Sequence, residues 1–96
     1  MYVVIFRAKI SQLDDEYHQT ALRMRTLAEN KYGCTEFVSL TENDDEIALS
    51  YWEDENQIKQ WKQDAEHLVA QQSGKEKWYQ YYRVEVCKIE RSYASS

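Results

Sequence analysis

The first third of the chain shows a strand pattern followed by a helical pattern. Residues 2–10 are rich in β-branched and aromatic side chains, which is typical of a β-strand. In residues 13–32, apolar side chains recur at steps of three and four, which predicts an amphipathic helix. Ser11 and Asp14 have the form of a capping box, and Gly33 stands where a left-handed residue often ends a helix. The predicted apolar stripe contains Tyr17, Ala21, Met24, Ala28 and Tyr32.

The rest of the chain predicts a β-hairpin, a second helix and a last strand. Residues 34–40 and 46–52 have the composition of strands, and the polar residues between them suit a hairpin loop. A helix is predicted over residues 54–73, with Asp54 and Gln57 as a reciprocal cap. Gly74 then ends the helix, and a last strand follows at residues 82–93. The apolar face of this helix contains Ile58, Trp61, Ala65 and Leu68.

The order β-α-β-β-α-β predicts an α+β fold of the ferredoxin-like type, an antiparallel sheet with two helices on one face. A sheet covered on one face alternates apolar and polar residues. Residues 3–6 and 47–52 do not alternate, which predicts that the second face is covered as well. A second copy of the chain, packed sheet to sheet about a two-fold axis, is the simplest cover. We therefore expect a homodimer that pairs through the sheet face.

Composition limits the class of partner. The 96 residues predict one domain over residues 1–93, followed by a loose tail at residues 94–96. The net charge of −5, with basic residues scattered among acidic ones, argues against nucleic acid and against anionic membranes as partners. No stretch resembles a signal peptide or a membrane span, so a cytoplasmic location is expected.

The two cysteines, Cys34 and Cys87, lie far apart and have no histidine at metal-binding spacing. In a chain without an export signal we expect two buried free thiols and no metal site. A disulfide or a redox role is the alternative.

Aromatic residues with polar groups are the main candidates for ligand binding. The chain has three tryptophans and eight tyrosines but only two phenylalanines. Tyr and Trp each carry a polar group that needs a partner, which indicates a pocket for a flat hydroxylated aromatic ligand or a dimer interface. A hydrophobic core is the third interpretation, favoured for Trp52 and Trp61. The candidate substrate-binding residues are Trp52, Trp61, Trp78, Tyr79 and Tyr82.

His67 and Arg7 are the candidate catalytic residues. His67 can act as a general base near neutral pH, as a hydrogen-bond donor to a ligand oxygen, or as a structural helix residue. It follows Trp61 by six positions, so on one continuous helix the two side chains point in different directions. Arg7 interrupts an apolar strand, where it either reaches solvent or binds an anion inside a pocket.

The second half of the chain carries a set of spaced motifs. The pattern S-x-W-E-D-x-x-x-I-x-x-W begins at Ser50, His67 follows, G-x-x-x-W-Y-x-x-Y begins at Gly74, and R-x-Y begins at Arg91. Together these motifs resemble the antibiotic biosynthesis monooxygenase (ABM) family. The resemblance implies a dimeric α+β barrel and a monooxygenase, an oxidoreductase that uses no cofactor and oxidises a small aromatic or polyphenolic substrate. It implies His67 as the base, with Arg7 and a tyrosine hydroxyl or tryptophan N–H as donors to the substrate anion.

Two other functions stay open at this point. A relative of the same fold degrades haem with an asparagine on the first strand and a histidine on the iron. This chain departs from that arrangement because its first strand has no asparagine. The third hypothesis is a non-catalytic dimer that binds a small ligand, since one fold hosts unrelated functions.

Overall fold

Four antiparallel strands form one sheet, and the helices cover one of its faces. The structure is a computed structural model that describes residues 1–95, apart from the side chain of Ala65. The elements are β1 (Tyr2–Ile10), α1 (Asp15–Asn30), β2 (Glu36–Glu42), β3 (Asp45–Trp52), α2 (Glu55–Gln63), α3 (Ala65–Ser73), a π-helical turn (Gly74–Trp78) and β4 (Tyr79–Lys88). The strand order is β2-β3-β1-β4, which confirms the predicted α+β ferredoxin-like fold.

The start of α1 differs from the predicted capping box. Asp14 caps the helix, because its Oδ1 accepts a hydrogen bond of 2.8 Å from the backbone N–H of Tyr17. The predicted cap, Ser11, is held elsewhere: the backbone N–H groups of Ser11 and Gln12 donate to the carbonyl oxygen of Trp78. At the other end of the helix, Gly33 has the predicted left-handed conformation, with φ of 90°.

The predicted second helix is two helices, and the break lies at Asp64. Asp64 has an extended ψ of 137° and caps α3, since its Oδ1 accepts from the backbone N–H of Glu66 at 2.8 Å. Its Oδ2 accepts a hydrogen bond of 2.6 Å from the hydroxyl of Tyr32, which holds the carboxylate and lowers its pKa. A short polar side chain that binds the backbone competes with helical hydrogen bonding, which explains the break.

The cap of α2 is also simpler than predicted. Asp54 accepts a hydrogen bond of 2.6 Å from the backbone N–H of Asn56, as an N-cap residue does. The side chain of Gln57 lies against Gly33 instead of closing a reciprocal cap.

The strand boundaries shift where pairing begins and ends. β2 and β3 meet at a tight turn in which Asn43 has a positive φ of 55°. β4 begins at Tyr79 and ends at Lys88, both earlier than predicted. Lys88 pairs with Tyr2 at the start of β1, and beyond it only the backbone N–H of Ile89 still donates to Met1, so the partner strand has run out.

The core lies between the sheet and the helices. Trp52 and Ile58 are at its centre, with exposures of 0% and 2%. Leu68, predicted to face the core, is 52% exposed because the break at Asp64 turns α3 away from the direction of α2. Ala65 of the predicted apolar face lies outside the described side chains. The other buried core residues are Val4, Leu27, Ala28, Cys34 and Trp61.

The opposite face of the sheet is open and largely apolar. Alternate residues of each strand point to it, as the strand register shows. Leu40 and Ile47 on this face are 71% and 43% exposed. Within residues 1–95 no helix packs on this face. Its apolar side chains include Val3, Ile5, Val38, Leu40, Ile47 and Leu49.

The two cysteines have different surroundings. Cys34 is buried, as predicted, and both thiols are free. The prediction of a buried Cys87 is wrong: Cys87 pairs with Val3 and is exposed on the open face of the sheet. Within residues 1–95, no helix is long and apolar enough to cross a membrane.

Candidate active site

A cavity of about 170 Å³ lies between the helices and the covered face of the sheet. An engineered apolar cavity of roughly 150 Å³ binds benzene, so this volume suits one aromatic ring. Small residues make room for the cavity, and aromatic rings form much of its wall. The small residues are Ala21, Ala48, Ala70 and Gly74, and the aromatic ones include Phe6, Tyr17, Trp61, Trp78, Tyr79 and Tyr82.

Four of the five aromatic candidates line this cavity. Trp61, Trp78, Tyr79 and Tyr82 are part of its wall. Trp52 is not, because its ring is fully buried in the core and its Nε1–H donates to the hydroxyl of Ser50 at 2.9 Å. The structure therefore places Trp52 outside the predicted pocket.

The tryptophan N–H groups are already used within the protein. Trp61 Nε1–H donates to the backbone carbonyl of Met24 at 3.1 Å. Trp78 Nε1–H donates to Oδ1 of Asp14 at 3.2 Å. Both tryptophans therefore offer a ligand their ring surfaces, and the predicted tryptophan N–H donor is not available.

Arg7 does not reach the cavity. In β1, Phe6 and Ala8 point to the covered face, so Arg7 between them points to the open face, where it pairs with Ile47 and Arg83. The prediction of Arg7 as an anion clamp inside the pocket is corrected by this alternation.

His67 lines the cavity and contacts Trp61, with ring centroids 4.5 Å apart in an edge-to-face arrangement. The expectation that these two side chains diverge assumed one continuous helix, and the break at Asp64 brings them together. Burial lowers the pKa of His67 to about 4, and the positive charge of Lys62 adds to this effect. The imidazole is therefore neutral near pH 7.

The contact between His67 and Gln71 bears on which imidazole nitrogen carries the proton. Gln71 Nε2 lies 3.1 Å from His67 Nδ1. With the amide as donor, Nδ1 accepts, and the proton of the neutral ring sits on Nε2. In this tautomer the neutral ring donates from Nε2.

Glu46 is a polar group of the cavity that the sequence interpretation missed. It is 6% exposed and points from β3 to the covered face. Its Oε1 accepts a hydrogen bond from the Tyr17 hydroxyl, and its Oε2 accepts one of 3.1 Å from the Tyr79 hydroxyl. Glu46 occupies the same parity along β3 as Trp52, so strand alternation was the signal that could have identified it.

The two tyrosines hold the carboxylate as donors. The pKa of Tyr17 is raised well above its ordinary value by burial and by the hydrogen bond to Glu46. The pKa of Tyr79 is raised in the same direction by burial and by the negative charge of Glu46. Both phenols therefore stay protonated at neutral pH.

Among residues 1–95, no three His, Cys, Asp or Glu side chains are placed to share a metal ion.

One curated protein is clearly similar in sequence. YqjZ of Bacillus subtilis strain 168, an uncharacterised protein, is 37% identical over 91 residues, which cover 94% of this chain and 80% of that protein. No model of a known protein family matches the chain.

Solved structures with the same fold include oxygenases. SnoaB, a cofactor-independent oxygenase from Streptomyces nogalater, superposes with a TM-score of 0.78 at 11% identity, covering 95% of this chain and 94% of that one. A Deinococcus radiodurans protein classified with the antibiotic biosynthesis monooxygenases gives a TM-score of 0.80 at 10% identity, covering 100% and 99%. At these identities the likeness is one of fold.

Proposed function

The chain belongs to the same family as YqjZ of Bacillus subtilis and has the fold of the antibiotic biosynthesis monooxygenases, and from this premise we propose that it is a cofactor-independent monooxygenase of small phenols. The observation that carries the proposal is the cavity of about 170 Å³, walled by aromatic rings and lined also by His67 and by the buried Glu46.

In the proposed reaction the phenol supplies all the electrons that oxygen needs. One oxygen atom replaces the hydrogen at the ring carbon para to the hydroxyl, and the product is a para-quinone. The hydroxyl hydrogen and the displaced ring hydrogen leave with the second oxygen atom as water. The protein contributes a water-poor apolar cavity and donors aimed at the phenol oxygen as it becomes anionic.

His67 is the donor in this scheme. A neutral imidazole with its proton on Nε2 stabilises a phenolate by a hydrogen bond without transferring the proton. Burial disfavours the imidazolium that the predicted base role would create, which favours the donor role for His67.

The cavity volume also bears on the haem hypothesis. A space of about 170 Å³ suits one aromatic ring and not the four pyrrole rings of a porphyrin. The small-phenol proposal therefore has the better support.

We expect the protein to consume oxygen with resorcinol, an electron-rich phenol of one ring. Under ¹⁸O₂, one labelled atom should appear in the hydroxyquinone and one in water, measured by mass spectrometry beside an oxygen electrode. His67→Phe keeps a ring of similar size without the N–H and should lower kcat about 10²-fold. The control substrate, 1,3-dimethoxybenzene, should give no uptake.

One result would contradict the proposed reaction. Resorcinol that binds in the cavity without oxygen uptake would favour the non-catalytic ligand-binding dimer.

We further propose that two copies of the chain pair through the open sheet face. An exposed apolar surface on the sheet is favourable to bury, and a two-fold axis lets the same surface serve both copies. Cys87 would then be shielded from solvent, and the exposed Leu40 and Ile47 would gain a partner surface.

Leu49→Glu at the middle of the open face is expected to convert the dimer to a monomer, because two buried carboxylates would face each other across the axis. Size-exclusion chromatography with light scattering should give twice the 11.5 kDa chain mass for the native protein and a single chain mass for the variant. Leu68→Glu, at an exposed position of α3, is the matched control and should stay dimeric. A native protein that is monomeric at every concentration contradicts the pairing.

A further inference from the structure

Glu46 lies in the cavity without a cationic partner. None of the ion pairs formed within residues 1–95 includes this residue. Its hydrogen-bond partners there are the hydroxyls of Tyr17 and Tyr79, one on each carboxylate oxygen. A buried carboxylate that is not paired with a cation is costly, so its presence in a cavity wall needs an explanation.

The geometry leaves acceptor capacity on Glu46. An ionised carboxylate has about four lone-pair positions, and two are occupied by tyrosine hydroxyls. Because both tyrosines act as donors here, a ligand that approaches Glu46 from the cavity meets an acceptor. A hydroxyl group on the ligand satisfies that acceptor, whereas a second anion is repelled.

We propose that Glu46, held in place by Tyr17 and Tyr79, binds the hydroxyl of the phenol and accepts its proton, and that this carboxylate restricts the site to hydroxylated rings without a negative charge. The inference rests on the proposed monooxygenase function and names the substrate class and the proton acceptor for it.

The proton transfer conserves charge inside the cavity. The phenol O–H bond breaks, its electron pair stays on the phenol oxygen, and the proton forms an O–H bond on Glu46. One negative charge is present before and after the step, so no new charge is created in an apolar space. When the oxygenation is complete, the proton leaves Glu46 with the water that is formed, and the carboxylate is restored.

The charge inside the cavity also favours Glu46 over His67 as the proton acceptor. If His67 took the proton, the cavity would hold an imidazolium, a phenolate and the Glu46 carboxylate together. The low pKa of His67 disfavours the imidazolium. Glu46 as the proton acceptor avoids this accumulation of charge in the cavity.

The first test measures binding without turnover, in anaerobic calorimetric titrations of the native protein. The three probes are resorcinol, 1,3-dimethoxybenzene, which has no donor, and 3-hydroxybenzoate, which adds a charge. We expect resorcinol to bind at least about tenfold more tightly than either of the others, as a hydrogen bond to a charged group predicts. Equal affinity for resorcinol and its dimethyl ether overturns the inference. This series needs no variant, so it decides the subsite even if a variant fails to fold.

The second test uses Glu46→Gln, which keeps the shape of the side chain and removes its charge. The variant should lose most of the preference for resorcinol and most of the oxygen uptake, by about 10²-fold or more for a lost proton acceptor. Asp44→Asn is the matched control, two residues away in the exposed turn between β2 and β3, and should behave as the native protein does.

The outcomes separate this inference from the proposed function. Oxygen uptake that is unchanged in Glu46→Gln overturns the proton-acceptor role and leaves the monooxygenase proposal standing. A Glu46-dependent preference for resorcinol in a protein that takes up no oxygen supports the subsite and contradicts the proposed reaction.

Discussion

Replacing Trp52 by alanine is expected to lower the free energy of unfolding by about 3–5 kcal/mol. The indole is fully buried at the centre of the core, and its ring centroid lies 5.3 Å from that of Trp61. Truncation removes a large apolar surface, leaves a cavity and deprives the Ser50 hydroxyl of its donor. Urea unfolding followed by circular dichroism measures the change.

This loss is large compared with the free energy of unfolding of a small domain. Small domains unfold with about 5–15 kcal/mol, so the Trp52 variant should be close to the threshold of folding at 25 °C. Leu68→Ala is the control, because a side chain that is 52% exposed contributes little burial. A loss below about 1 kcal/mol for Trp52→Ala would show that the core relaxes into the space.

The second large effect is a dependence of stability on pH that His67 causes. Its pKa is about 4 in the folded protein against an ordinary value of 6.5. Between these values the unfolded chain binds a proton that the folded chain does not bind. Stability from this residue is therefore complete above about pH 6.5 and is lost as the pH falls toward about 4, by up to about 3 kcal/mol.

Comparison with His67→Gln isolates this contribution. Other groups that titrate in the same range are present in both proteins and cancel. We expect the stability difference between native protein and variant to change by up to about 3 kcal/mol between pH 7 and pH 4 in urea titrations. A difference that is constant across this range would mean that the imidazole is solvated in the folded state.

The sequence predicted the helices and strands better than the places where one ends and the next begins. The bounds of β1 are those predicted, because a run of β-branched residues has no competing helical period. The break at Asp64 was not predictable from periodicity, since the carboxylate that caps α3 is also held by the Tyr32 hydroxyl, which lies beyond the end of α1. The break brings His67 against Trp61, so the site depends on a detail that local pattern does not contain.

Side-chain direction explains the other corrections. Arg7 and Glu46 are both charged residues within apolar strands, and both were open to a pocket role in principle. The parity of each strand places Glu46 inside and Arg7 outside. Parity places Glu46 and Arg7 on opposite faces of the sheet, but it does not tell which of the two faces the helices cover. Trp52 identifies the covered face, because a tryptophan of 0% exposure must lie on the inner side.

The separation of α3 from α2 has a consequence for how this family can vary. α2 contributes Ile58 and Trp61 to the core, whereas none of the described side chains of α3 is fully buried. Yet His67, Ala70 and Gln71 of α3 form part of the cavity wall. Substitutions in α3 can therefore change what the cavity accepts while the core keeps the domain folded, so that new ligand preferences can arise here at little expense to stability.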